Sequence, residues 1–151
     1  MNRRPLRVVF VTGGLVYSSI VIERVIQELP GVVVGVVVGD FIYPRRGLVR
    51  GAWMVVRKAG WLYFLFKVFE TLAMRLLLRL KGRGRRFHTL SEFERVYGIP
   101  IYRTMDLGVE SARIRALAPD VIISMIPQKI GRDMLALPRL GVINLHPGLL
   151  P

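Results

Sequence analysis

The stretch LRVVFVTGGLVYSSIVIERVIQELPGVVVGVVVGD, residues 6–40, decides the fold class of this chain. It begins with an apolar run at 6–14 and ends with a nearly continuous Val run at 32–40. Runs of this kind, without polar alternation, are typical of parallel strands that are buried on both faces. Between them, residues 18–29 place apolar side chains at helical spacing. The order strand, helix, strand predicts a βαβ unit with a right-handed crossover.

The same alternation resumes at residue 89 and continues through the rest of the chain. Its predicted strands and helices are, in order, a helix in 89–98, a strand at 99–103, a helix in 108–120, a strand at 120–126, a helix in 131–138 and a strand at 141–147. Strands that alternate with helices predict an α/β fold, in which helices cover both faces of one parallel sheet.

Polar residues and glycines predict where two of these helices begin and end. Ser18 or Ser19 is expected to cap the first helix. In the helix after residue 89, Ser91 and Glu94 have the spacing of a capping box, and Gly98 is expected to stop the helix.

The composition fits a single folded domain over residues 1–151. An apolar fraction of 52% argues against disorder. The chain has no cysteine, which excludes disulfides, thiolate metal sites and a thiol nucleophile, and suits a reducing cytoplasm. The Thr12–Gly14 turn lacks the Gly-x-Gly-x-x-Gly spacing, so a nicotinamide site is not favoured.

The positive charge is concentrated in residues 42–86, which we interpret as a basic helical insertion within the domain. The chain has 23 Lys and Arg against 10 Asp and Glu, and this segment holds twelve of those bases and one acid, Glu70. Residues 61–80 predict an amphipathic helix, and its longest uncharged run is too short to span a bilayer. Packing against the domain or a partner is its first interpretation, and contact with an anionic membrane, as a peripheral protein, or with RNA is the second.

Two polar residues interrupt the last predicted strand. Asn144 and His146 are two residues apart and therefore share a face, whereas Leu145 is expected to point into the apolar layer. Pro147 favours an extended His146. Open α/β sheets bind ligands at the carboxyl ends of their strands. An Asn amide can stabilise an oxyanion and a His can move a proton near neutral pH, so the pair suits acyl transfer.

The motif NLHPGLLP at 144–151, preceded by APDVIISM, IPQKIG and LPRLGVI, resembles the formyltransferase family that uses 10-formyltetrahydrofolate. Glycinamide ribonucleotide formyltransferase, methionyl-tRNA formyltransferase and the amino-sugar N-formyltransferases are members of this family. The resemblance is close over 89–151, looser over 5–40 and weak over 42–86. It implies a Rossmann-like fold and transfer of a formyl group to an amine.

The resemblance also implies roles for individual residues. By position, Asn144 matches the oxyanion-stabilising Asn of the family, and His146 matches its catalytic His. The family's pterin loop corresponds to six residues, namely Met125, Ile126, Pro127, Gln128, Lys129 and Ile130.

The amine acceptor is less well indicated. The first loop, with Gly13, Gly14, Tyr17 and Ser18 as weaker candidates for substrate contact, does not match the phosphate loop of the ribonucleotide enzyme. An amino sugar or an aminoacyl-tRNA is therefore expected in preference to a ribonucleotide.

The family also uses a catalytic Asp beyond the His, and this chain ends before a matching residue. We therefore expect an N-terminal portion of a catalytic domain that is inactive alone, with its last strand exposed and able to dimerise. The alternative is a non-catalytic relic or interaction module whose basic helix binds an anionic membrane or RNA. The remaining histidine, His88, is interpreted as a surface residue.

Overall fold

The structure, a computed structural model, describes residues 4–14, 16–39, 48–80, 88–104, 107–126 and 130–145. Along these residues the elements are β1 Val8–Thr12, α1 Val16–Glu28, β2 Val33–Gly39, α2 Leu48–Ala59, α3 Trp61–Leu80, α4 Leu90–Tyr97, β3 Ile101–Thr104, α5 Ser111–Ala116, β4 Val121–Met125, α6 Arg132–Leu135 and β5 Gly141–Asn144. The chain divides into two compact units, Met1–Phe41 with His88–Pro151 and Ile42–Phe87.

The first unit is built on one parallel sheet with the strand order β3-β2-β1-β4-β5. The central strand β1 pairs on one side with β2, where Phe10 lies opposite Val36, and on the other with β4, where Phe10 lies opposite Ile123. All four strand pairs are parallel. The predicted α/β, Rossmann-like fold is confirmed.

Every residue of β1 is buried because two apolar layers cover the sheet, one on each face. On one face, Phe10 packs with residues of α1 and α4, including Ile22 and Phe93. On the other face, Val11 packs with residues of α5 and α6, including Ile114. Strand alternation therefore divides consecutive valines between the two layers, which explains why the sequence shows continuous apolar runs.

The strand order reverses at β1. The chain first moves outward from β1 through β2 to β3, and then returns to the other side of β1 to add β4 and β5. Right-handed crossovers require helices on opposite faces for the two directions, as is observed for α1 and α4 against α5 and α6. The carboxyl ends of β1 and β4 form the topological switch point, where sheets of this kind bind ligands.

The helix ends differ from the prediction at two places. Helix α1 begins at Val16, so Ser18 and Ser19 lie within its first turn as buried residues and do not cap it. In α4 the capping box is formed by Thr89 and Glu92, because the Glu92 carboxylate accepts a hydrogen bond from the Thr89 N–H at 2.9 Å. The predicted stop at Gly98 is confirmed by its left-handed conformation.

The second unit contains α2 and α3, separated by Gly60. The predicted helix at 61–80 is confirmed, whereas α2 was not predicted as a separate helix. Across the junction, the Gly60 N–H donates to the carbonyl of Val56 at 2.9 Å and its own carbonyl accepts from Phe64. Among the described helices of the chain, none is long and apolar enough to cross a membrane.

Strand β5 is shorter than predicted, and it ends at Asn144. The Leu145 N–H still donates to the Ser124 carbonyl at 2.8 Å, so the backbone continues beside β4 for one more residue. The Leu145 side chain is exposed, which makes its predicted place in the apolar layer wrong. β5 has only one neighbour, β4, among the described strands, so burial at its end is incomplete.

Candidate functional site

The turn after β1 lies at the carboxyl ends of the parallel strands, which we call the carboxyl edge of the sheet. Thr12, the last residue of β1, is fully buried, and its hydroxyl accepts a hydrogen bond from the Gly14 N–H at 3.2 Å. Gly14 has a φ of +76°, and a Cβ there would meet the Val38 side chain at 3.1 Å. A tight turn without a side chain at Gly14 therefore carries the chain from β1 towards α1.

The two other candidates of the first loop lie in the first turn of α1 and have different environments. The Tyr17 side chain is partly exposed at the surface. Ser18 is buried, and within the described part of the chain its hydroxyl has no hydrogen-bond partner. Gly13, Gly14, Tyr17 and Ser18 are thus close in the chain at the carboxyl edge of β1, and their contact with a substrate stays a prediction.

The segment expected to line a pterin pocket begins at the end of β4, directly beside β1. Met125 lies opposite Thr12 in the strand register. Ile126 is buried in the apolar layer that also contains Ile114, and Ile130 packs partly against the same layer. Pro127, Gln128 and Lys129 lie outside the described residues. The described part of this segment supplies apolar surface at the switch point.

Asn144 is the last residue of β5 and lies opposite Ser124 of β4 in the strand register. Paired residues of parallel strands share a face, so the exposed Asn144 amide and the Ser124 side chain are on the same side of the sheet. The predicted carboxyl-edge position of Asn144 is therefore observed. His146 lies outside the described residues.

Ser124 is the polar residue at this edge that the sequence analysis did not single out. Its side chain is almost completely buried, and its hydroxyl has no hydrogen-bond partner among the described residues. Buried hydroxyls normally find a partner, so a buried Ser124 hydroxyl without one among the described residues is unusual. The signal in the sequence was a lone Ser inside the apolar run of β4, between Ile123 and Met125.

Asp120 lies at the opposite, amino edge of the sheet, directly before β4. Its buried carboxylate accepts hydrogen bonds from the side chains of Arg139 and Arg4, each at 2.7 Å, and from the Arg7 N–H at 3.1 Å. The hydrogen bond from Arg139 is the main reason that the pKa of Asp120 lies below its ordinary value. Asp120 therefore joins the N-terminal segment to the segment that follows α6, away from the candidate site.

Replacing Asp120 with Asn is expected to remove a pH-dependent part of the stability. Because the folded-state pKa is lowered, this stabilisation is fully present above the ordinary Asp pKa of about 4 and is lost as the pH falls through the folded-state value. The melting temperatures of wild type and Asp120→Asn, followed by circular dichroism, should therefore differ most near neutral pH and converge in acid. Asp133→Asn, at an exposed Asp in α6, is the matched control, and an equal gap at every pH would contradict the prediction.

A second buried carboxylate, Glu23, lies on α1. Its Oε1 contacts His88 Nδ1 and accepts a hydrogen bond from the Tyr97 hydroxyl, both at 2.6 Å, and its Oε2 accepts from the His88 N–H at 2.9 Å. Burial, followed by the hydrogen bond to Glu23, raises the pKa of Tyr97. The prediction that His88 is a surface residue is wrong, because it is half-buried and bonded to Glu23. We call Glu23, His88 and Tyr97 the Glu23 cluster.

Comparison with known proteins finds similarity to methionyl-tRNA formyltransferases. The methionyl-tRNA formyltransferase of Halorhodospira halophila is 40% identical over 78 residues, which are 48% of this chain and 25% of that protein. The methionyl-tRNA formyltransferase of Ruminiclostridium cellulolyticum is 37% identical over 76 residues, 47% of this chain and 24% of that protein. These similarities support a formyltransferase family. No protein-family model matches the chain.

A third relative extends the similarity along the chain. The methionyl-tRNA formyltransferase of Roseiflexus sp. is 29% identical over 150 residues, which cover 97% of this chain and 35% of that protein. The chain thus spans about a quarter to a third of the length of the curated relatives it matches.

Proposed function

We propose that this chain takes part in the transfer of a formyl group from 10-formyltetrahydrofolate to an amine, with an aminoacyl-tRNA as the acceptor. The observation that carries the proposal is the strand register, which puts the exposed Asn144 amide beside Ser124 at the carboxyl edge, next to the switch point. The similarity to methionyl-tRNA formyltransferases supports the choice of acceptor over an amino sugar or a ribonucleotide.

The described residues fit a folate-type donor. Met125, which is only partly buried at the end of β4, provides apolar surface for a flat ring, and the Ser124 hydroxyl is a buried polar group that lacks a partner among the described residues. Ligand sites commonly combine an apolar lining with a few polar groups of this kind. Together with the rest of the segment Met125 to Ile130, these residues would hold the donor, which supplies the formyl group.

The chain's own contribution to the chemistry is electrostatic. Asn144 donates a hydrogen bond from its amide to the formyl oxygen, which gains negative charge as the amine attacks. The bond between the formyl carbon and tetrahydrofolate then breaks. His146, two residues further along the chain, would move the proton that the amine loses or would stabilise charge. The pairing of β5 with β4 holds the backbone at Asn144, and so fixes the point from which its side-chain amide reaches the formyl oxygen.

Release of tetrahydrofolate from 10-formyltetrahydrofolate, measured with formylatable aminoacyl-tRNA, an amino sugar and an amino ribonucleotide, tests the proposal. The assay is run on the 151-residue chain and on the product of the complete reading frame that encodes it. We expect release with the aminoacyl-tRNA to exceed release with the other two amines. Absence of release with all three amines from the complete product contradicts the proposed function, and release only with the amino sugar contradicts the acceptor.

The similarity to enzymes gives the non-catalytic alternative no support. Dimerisation through the last strand stays a prediction, for which the exposed side chains of Ile143 on β5 and of Leu145 directly after it are the relevant observation.

A further inference from the structure

Helix α3 presents a long apolar face to solvent. The face consists of seven exposed side chains with helical spacing, Trp61, Leu62, Leu65, Phe66, Phe69, Leu72 and Leu76, and we call it the α3 stripe. Leu62 is 83% exposed and Phe69 is 70% exposed. A helix of this length extends about 30 Å. Soluble chains rarely leave a contiguous apolar surface of this kind uncovered, so the stripe indicates an interaction surface.

The described charged side chains of α3, Lys67 and Glu70, lie beside the stripe. Lys67 and Glu70 form an ion pair at 2.7 Å, and the Thr71 hydroxyl donates to the Lys67 carbonyl at 2.7 Å. The Lys67 ammonium also lies 5.8 Å from the ring centre of Phe66, so its alkyl chain runs along the edge of the stripe. A Lys in this position can keep its charge in water while its stem follows apolar surface.

The net charge of α2 and α3 together indicates the sign of the charge that a partner of the stripe carries. Residues 48–80 contain six Lys and Arg against one Glu, a formal charge of +5. Arg57 and Lys58, in the last turn of α2, are exposed near the point where α3 begins. An apolar stripe with Trp, Phe and Leu beside cationic groups is the pattern of a helix that lies in a membrane interface.

We propose that the α3 stripe binds flat on an anionic lipid surface, with its apolar side chains among the acyl chains and the basic groups at the phosphates. A spanning arrangement does not fit, because no described helix is long and apolar enough. RNA offers phosphates and base faces, neither of which covers aliphatic side chains such as Leu62 and Leu72. A second copy would bring two like charges of +5 together.

The two tryptophans of the chain report this contact directly. Trp53 of α2 and Trp61 of α3 are 66% and 60% exposed, and the chain contains no other Trp. Addition of phosphatidylcholine vesicles containing about a quarter phosphatidylserine should shift the Trp emission to the blue, and brominated lipid should quench it. Because attraction to the phosphates is screened, partitioning should weaken as salt rises from about 0.1 M to about 1 M, and it should be weaker on pure phosphatidylcholine.

Matched variants test whether lipid binding depends on the α3 stripe or on exposed apolar side chains in general. The triple variant Leu62→Gln, Phe66→Gln and Phe69→Gln keeps both tryptophans and good helix formers, and it should partition at least about tenfold more weakly. The control variant carries three equivalent replacements at exposed apolar residues of the first unit, which contains the sheet. These are Leu29→Gln, Val109→Gln and Leu135→Gln, and the variant should partition like the wild type.

A second variant, which changes charge only, tests the proposal independently if circular dichroism shows that the triple variant contains less helix than the wild type. Arg57→Gln with Lys58→Gln leaves the stripe intact and should weaken partitioning on anionic vesicles about tenfold or more, because each interfacial cation contributes about fivefold. The proposal is overturned if the wild type shows no blue shift with anionic vesicles, or if both variants partition as strongly as the wild type. A blue shift produced only by RNA, or only by raising the protein concentration without lipid, overturns it equally.

Discussion

Replacement of Asn144 by Ala is expected to lower the turnover number for formyl transfer about 10²–10³-fold, the usual loss for one oxyanion donor. The Asn144 amide lies at the end of β5, and its contact is made with an oxygen that becomes negative only during the reaction. An interaction of that kind lowers kcat and kcat/KM together and leaves KM nearly unchanged. The measurement, made on the product of the complete reading frame, is release of tetrahydrofolate at varied donor concentration, with the acceptor saturating.

A control for this experiment is Arg103→Ala on β3. Arg103 is also an exposed residue near the carboxyl end of an outer strand, but β3 lies at the other end of the sheet order. This variant should transfer the formyl group at the wild-type rate. If Asn144→Ala instead raised KM with kcat unchanged, Asn144 would be a binding residue, and its proposed role in stabilising charge would be wrong.

Replacement of Glu23 by Ala is expected to lower the free energy of unfolding by about 2 to 4 kcal/mol. The Glu23 carboxylate is 1% exposed and is the common acceptor for the His88 N–H, the His88 ring and the Tyr97 hydroxyl. Its removal leaves these donors without their acceptor next to the apolar layer, where water replaces it poorly. Denaturant unfolding followed by far-ultraviolet circular dichroism measures the loss.

Two variants test whether the effect comes from the Glu23 cluster. Glu28→Ala removes a carboxylate from the same helix that is paired with Arg24 at 2.7 Å, but both side chains are exposed, so the loss should stay within about 0.5 kcal/mol. Tyr97→Phe removes the hydroxyl that donates to Glu23 and also contacts the His88 ring, and it should cost about 1 kcal/mol. An equal loss in Glu23→Ala and Glu28→Ala would show that the cluster does not stabilise the fold.

Much of the fold could be predicted because its signals are local. The apolar runs that became β1, β2 and β4 were recognised from composition alone, since strands buried on both faces need apolar side chains at every position. The 61–80 helix was recognised from its periodicity. Helix α2 was missed. The cap of α4 is Thr89, two residues before the predicted Ser91, because several Ser and Thr near that start can serve as a cap, and α1 begins before the predicted caps Ser18 and Ser19.

The candidate site was predicted only in part for a different reason. The two-residue spacing of Asn144 and His146 fixes a shared face for an extended chain, and that much is local. Ser124 is twenty positions before Asn144, and only the pairing of β4 with β5 makes the two residues neighbours. Such pairing depends on strand order and register, which leave no periodic trace in either segment.

The sequence by itself therefore determined that this chain is an α/β protein with a polar pair in its last strand and a basic amphipathic helix in its centre. Only the tertiary structure decided which side chains meet. Glu23 and His88 are 65 positions apart, yet the packing of α1 against the sheet brings them to 2.6 Å. It also decided that the α3 stripe is exposed. Hydrophobic periodicity predicts that one face of a helix is apolar. Whether other residues of the chain bury that face depends on contacts between residues far apart in sequence.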